Sequence, residues 1–135
     1  MRSRQKPLRQ ACFWPMDQGG RLKTWIALLR GINVVGRRTL LMKDLAAIFE
    51  RDGLESVRTY IQSGNVVFES ARGSARTLAA RIGTLILAKS GFKPHVIVLS
   101  VAELAEAVSG NPFPQADADH KTLHLFFLSE RPARP

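Results

Sequence analysis

The chain has 135 residues, of which 45% are hydrophobic and 23% are charged. This length and composition predict a single folded domain and exclude a disordered chain. The single cysteine, Cys12, excludes an internal disulfide and favours a reducing compartment, so we predict a cytoplasmic protein. No apolar run approaches the roughly 18 residues that a membrane span needs, so no membrane partner is expected.

More than half of the formal net charge of +9 lies near the N-terminus. Residues 1–23 carry a net charge of +5, and the rest of the chain carries +4. A basic segment without periodicity binds phosphate through charge alone and without specificity. We therefore predict that residues 1–23 are a disordered basic leader, with Met1 and Met16 both candidate initiators.

From residue 24 onward, the elements predicted in chain order alternate between strands and helices. Apolar runs and period-2 alternation predict strands over residues 24–30, 56–63, 66–69, 94–99 and 122–129. Helical spacing predicts one helix that stops at Gly53, one that runs from Ser74 to Gly91, and one over residues 101–109.

The order of these elements predicts the fold class. Residues 24–99 read β-α-β-β-α-β, which is the split β-α-β or ferredoxin-like pattern of an α+β domain. The domain, over residues 24–129, adds one helix and a fifth strand, and residues 130–135 form a tail. Right-handed crossovers place the first strand beside the fourth. In that arrangement, three segments meet at one end of the sheet: the loop after the first strand, the turn at Ser63–Asn65 and the start of the first helix.

That end of the sheet is the best candidate site. Glycines expose backbone N–H groups, arginines add charge and a helix N-terminus follows, which together suit a phosphate. The candidate ligand-binding residues are Arg30, Gly31, Asn33, Gly36, Arg37, Arg38, Ser63, Gly64 and Asn65. The alternative is that the glycines and asparagines only make turns, with Asn33 and Asn65 bonding their own backbone.

Three ordered motifs resemble those of one family. Residues 28–34 read L-L-R-G-I-N-V, residues 60–68 read Y-I-Q-S-G-N-V-V-F, and N-P-F-P at 111–114 is followed by K-T-L-H at 121–124. These motifs are similar to those of the domain of unknown function family 1697. The resemblance implies an α+β fold with a ferredoxin-like half, and it implies no activity, because the function of that family is not established.

The chain departs from that family at two places. The family's first loop usually reads N-V-G-G, whereas Val35 stands here in place of the first glycine. A position that needs a positive φ resists valine, so we predict an altered loop. The resemblance also implies further helix and strand beyond residue 135, so the chain is expected to be truncated at its C-terminus.

Three functions stay open. The first is a non-catalytic binding module for an anionic ligand, either a phosphate-bearing small molecule or a nucleic-acid backbone. The second is an interaction or assembly domain that self-associates through an apolar sheet face, because the strands near residues 25–29, 96–99 and 125–128 are continuously apolar. The third is an uncharacterised enzyme, although no nucleophile stands out beside a base and no catalytic residue is named.

No metal and no cofactor are predicted. Asp117, Asp119, His120 and His124 form a D-x-D-H-x₃-H cluster. A polar loop explains this cluster more simply than a metal site, because the side chains of a loop and a strand need not converge.

Overall fold

The computed structural model describes residues 20–61, 64–113 and 121–134. Its elements in chain order are β1 (Lys23–Arg30), α1 (Met42–Arg51), β2 (Glu55–Tyr60), β3 (Asn65–Ser70), α2 (Ala75–Ser90), β4 (His95–Ser100) and α3 (Val101–Ser109). A disordered leader was predicted over residues 1–23. Residues 1–19 of it lie outside the described residues, and its last residue, Lys23, is the first residue of β1.

The four strands form one antiparallel sheet in the order β2-β3-β1-β4. This is the strand order of the ferredoxin-like fold, so the predicted α+β class and β-α-β-β-α-β pattern are confirmed. The additional helix is confirmed as α3. Both α1 and α2 pack on one face of the sheet, where α1 contacts β2 and α2, and α2 contacts β4.

The core lies between that face and the two helices. Alternate residues of β1 point into it, and the register pairs Trp25 with Phe68 and Ala27 with Val66. Phe68 meets Phe49 of α1 edge to face, with ring centroids 5.3 Å apart. An edge-to-face aromatic pair stabilises a fold by more than its buried area alone. This contact therefore helps to hold β3 and α1 together in the core.

Of the three helices in the described residues, two begin with a complete side-chain cap. Ser74 and Thr77 form a capping box on α2, and Ser100 and Glu103 form one on α3. The pKa of Glu103 is lowered, because its carboxylate accepts hydrogen bonds from the Ser100 backbone amide, which has the larger effect, and from the Ser100 hydroxyl. No helix in the described ranges is long and apolar enough to cross a membrane.

The predicted fifth strand over residues 122–129 is wrong. Residues 123–128 form no strand ladder, and the Phe126 side chain is 85% exposed. The segment runs beside β4, because Leu128 and Ser129 line a cavity with Ile97. Its apolar composition predicted a strand, but a strand also needs backbone hydrogen bonds to a partner, which composition does not report.

Candidate anion-binding site

The loop between β1 and α1 folds into a small hairpin over residues 33–38. The Asn33 N–H donates to the Arg38 carbonyl at 3.1 Å, and the Arg37 N–H donates to the Val34 carbonyl at 3.0 Å. Val35 and Gly36 form the turn with φ values of 46° and 68°. Positive φ at both central residues is the pattern of a type I′ turn, so this loop hairpin projects Val35 at its tip.

Val35 occupies a position that favours glycine. It is a β-branched residue in the left-handed region, and its side chain is 93% exposed. The left-handed conformation costs an L-residue about 1–2 kcal/mol. The loop therefore makes its turn with a strained residue at the tip, and whether it differs from the loop of the family stays a prediction.

We expect Val35→Gly to raise the free energy of unfolding by about 0.5–1 kcal/mol. Glycine removes the steric strain, and the larger entropy of the unfolded chain offsets part of that gain. Urea unfolding measures the change. Val34→Gly is the matched control, because Val34 is also exposed but lacks a positive φ, and it should lose stability. Equal losses in both variants would contradict the strain at Val35.

Asn33 holds the loop hairpin against the start of α1. Its Nδ2 donates to the Leu40 carbonyl at 2.9 Å, and the Leu40 N–H donates to its Oδ1 at 2.7 Å. The side-chain nitrogen and oxygen of Asn33 therefore both bond the backbone of the same loop. This is the alternative role given to Asn33 in the sequence analysis, that of making a turn. Asn33 shapes the site by fixing where the chain enters the helix.

A cavity of about 270 Å³ opens at the start of α1. Its lining residues are Asn33, Gly36, Thr39, Leu40, Leu41 and Met42. Leu41 is the N-cap and supplies no side-chain cap to the helix. The Met42 and Lys43 amides make no hydrogen bond within the described ranges, so the positive end of the helix dipole borders this cavity with free donors.

The turn between β2 and β3 packs against the base of the loop hairpin, at the end of the sheet where the topology predicted both. The Leu29 N–H donates to the Gly64 carbonyl at 3.2 Å. A Cβ on Gly64 would overlap Ile32 Cδ1 and would lie 3.0 Å from Leu29 Cβ. Ser63 lies outside the described residues. Asn65 pairs with Tyr60 and Leu28 in the sheet and does not line the cavity.

The three candidate arginines do not converge on one point. Arg37 and Arg38 are exposed on the loop hairpin, and their guanidinium groups form no hydrogen bond or ion pair with any described residue. Arg38 lies over Gly31, where an added Cβ would be 3.4 Å from its Nη1. Arg30 is elsewhere: it pairs with His95 and lines a separate cavity of about 170 Å³ on the far side of the sheet.

Four cavity residues were missed from the sequence: Thr39, Leu40, Leu41 and Met42. The available signal was the residue type before the helix. Serine, threonine, aspartate and asparagine are preferred at an N-cap, and a leucine at that position marks a helix whose first amides lack a side-chain acceptor.

The structure gives no support to metal chemistry in the part of the chain that it describes. No group of three or more His, Cys, Asp or Glu side chains comes together there. His124 lies with its ring centroid 6.4 Å from that of Phe126. The other three members of the D-x-D-H-x₃-H cluster lie outside the described residues.

Fold and loop geometry together define a ferredoxin-like α+β domain. The chain belongs to the family described as "Protein of unknown function (DUF1697)", whose family model matches residues 22–135. Its structure is similar to that of the conserved bacterial protein SP0830 from Streptococcus pneumoniae, with 25% sequence identity and a TM-score of 0.59 over 78% of this chain and 69% of that chain. No curated protein matches the chain.

Proposed function

We propose that this domain is a non-catalytic binding module for a phosphate-bearing ligand, held where α1 begins. The observation that carries the proposal is the cavity of about 270 Å³ at an uncapped helix start. The loop hairpin beside that cavity carries Arg37 and Arg38, whose guanidinium groups pair with no described residue.

The chemistry of the cavity suits an oxyanion. Met42, which lines the cavity, and the adjacent Lys43 begin the helix with amides that supply hydrogen-bond donors, and Thr39 also belongs to the lining. Arg37 and Arg38 raise the local concentration of anions from the hairpin, and charge-assisted bonds to phosphate are the strong ones. A phosphorylated small molecule and a nucleic-acid backbone present the same phosphate chemistry to these groups.

We expect the double variant Arg37→Ala/Arg38→Ala to weaken phosphate binding about tenfold at low salt. Each guanidinium is exposed, so screening by water keeps each contribution to a few-fold. Isothermal titration with inorganic phosphate, a nucleoside monophosphate and a short oligonucleotide measures the effect and separates the sources of the phosphate.

The matched control is Arg72→Ala/Arg76→Ala. Both residues are exposed and lie near the β3–α2 connection, at the opposite end of the sheet. This control removes the same net charge and should leave binding nearly unchanged. Equal weakening by both double variants would mean that net charge alone attracts the anion. A wild-type protein that binds none of the three probes at low salt would rule the proposal out.

We propose protein assembly as a second function, on a surface that the phosphate site does not use. The specific observation is a row of half-buried aliphatic side chains on the sheet face opposite α1 and α2, including Ile26, Leu28 and Ile97. The third alternative is a catalytic role. We do not propose it, because we identify no nucleophile beside a base among the described residues.

A further inference from the structure

The sheet face opposite α1 and α2, here the outer sheet face, is apolar at its centre. The register places Ile26 between Val67 and Leu99, and Leu28 beside Ile97. These side chains are excluded from the core between the sheet and the helices, and Val67 is 36% exposed. Contiguous apolar surface of this kind marks an interaction site in a folded protein.

The border of the outer sheet face is polar. Arg58 pairs with Val67 and Tyr60 pairs with Asn65, so both lie on this face along β2. Glu69 pairs with Thr24 and lies on the same face. An apolar centre with a polar rim is the anatomy of a protein–protein interface. The rim carries both signs of charge, so a second copy brings opposite charges to it; Glu69 also accepts a hydrogen bond from the Ser56 hydroxyl at 2.6 Å.

Within the described ranges, little of the chain covers this face. Helix α3 contacts β4 and β1, but none of its residues is buried. Residues 127–130 border the outer sheet face at one corner, where they line a cavity with Arg30 of β1 and with His95 and Ile97 of β4. Leu125 and Phe126, just before that segment, are exposed.

The size of the surface suits a weak contact with a second copy of this chain. Four strands about 4.8 Å apart and about six residues long span roughly 400 Å² in projection. About 400 Å² per partner is half of a standard interface and falls in the class of weak, transient contacts, so the dimer should form only at high protein concentration. Two such sheets pack face to face about 10 Å apart, as in a sandwich.

We infer that the outer sheet face is the interface of a homodimer in which two sheets pack against each other. The interface is isologous, since each copy contributes the same apolar centre and the same mixed-charge rim. It deepens the proposed assembly role and is independent of the phosphate site, which lies at the end of the sheet and opens at α1.

Sedimentation velocity over a concentration series tests the inference. The wild type should pass from monomer to dimer as its concentration rises. Ile97→Lys should raise the dimer dissociation constant at least about tenfold, because it replaces an apolar contact of the interface with a charge that must lose water on binding. Leu87→Lys is the matched control, since Leu87 is an exposed leucine on α2, and it should leave the dissociation constant unchanged.

Val67→Lys gives a second test on β3 if Ile97→Lys does not fold, and circular dichroism checks both variants. A wild type that stays monomeric at every concentration overturns the inference, and so does an equal effect of Ile97→Lys and Leu87→Lys. A monomer that binds a hydrophobic dye overturns it as well, because the face would then be exposed without accepting a second copy. Phosphate binding by the same samples reports on the proposed ligand site separately.

Discussion

Replacing Gly64 with alanine should lower the free energy of unfolding by about 3 kcal/mol. The residue is buried with a φ of 84°, so alanine meets the left-handed penalty of about 1–2 kcal/mol. Its Cβ would also overlap Ile32 Cδ1 and approach Leu29 Cβ to 3.0 Å. Both neighbours are buried, and overpacking of this kind costs a further 1–3 kcal/mol or so.

Gly53→Ala separates the two contributions. Gly53 has the same φ of 84°, but an added Cβ would meet nothing within 4 Å. This variant should lose only about 1 kcal/mol, the conformational part of the penalty. Urea titrations of the two variants give the difference. Equal losses would contradict the close packing of the β2–β3 turn against the loop before α1.

The second large effect is expected for Asn33→Ala, at about 2–3 kcal/mol. The substitution removes both hydrogen bonds between the Asn33 amide and the Leu40 backbone, and it places alanine at a φ of 52°. A partly buried hydrogen bond contributes about 1 kcal/mol, and the backbone strain adds about 1 kcal/mol. Phosphate affinity should fall with stability, because the amide positions the residues that begin α1.

Two further variants at the same position separate these causes. Asn33→Gly accepts the positive φ but loses both hydrogen bonds, whereas Asn33→Asp keeps the acceptor for the Leu40 N–H and loses the donor. We expect both to be more stable than Asn33→Ala, and thermal unfolding ranks them. If Asn33→Ala lost phosphate binding with its stability intact, Asn33 would be a ligand contact and its positioning role would be wrong.

Much of the fold followed from local patterns in the sequence. Ser74 and Gly91 bounded α2 because a hydroxyl caps a helix start and glycine accepts the left-handed conformation at a helix end. The order of strands and helices then defined the sheet order through crossover handedness. The meeting of the loop after β1 with the β2–β3 turn depends only on that topology, so it too was predictable.

The candidate site was only partly predictable, because β1 is apolar on both faces. In such a run Leu28 and Leu29 look alike, so the pattern does not tell which residues point toward the helices. Arg30 was therefore assigned to the phosphate site, whereas the register turns it toward the outer sheet face. The role of Asn33 depends on Leu40, seven residues away, and no local pattern reports that hydrogen bond.

The central claim is that a phosphate binds where α1 begins, and backbone amide NMR during a titration with inorganic phosphate tests it most directly. The account predicts saturable shifts of the Gly36, Met42 and Lys43 amides, which weaken in Arg37→Ala/Arg38→Ala and persist in Arg72→Ala/Arg76→Ala. Shifts that are absent at these three amides, or that spread over all basic surfaces without saturating, would contradict it.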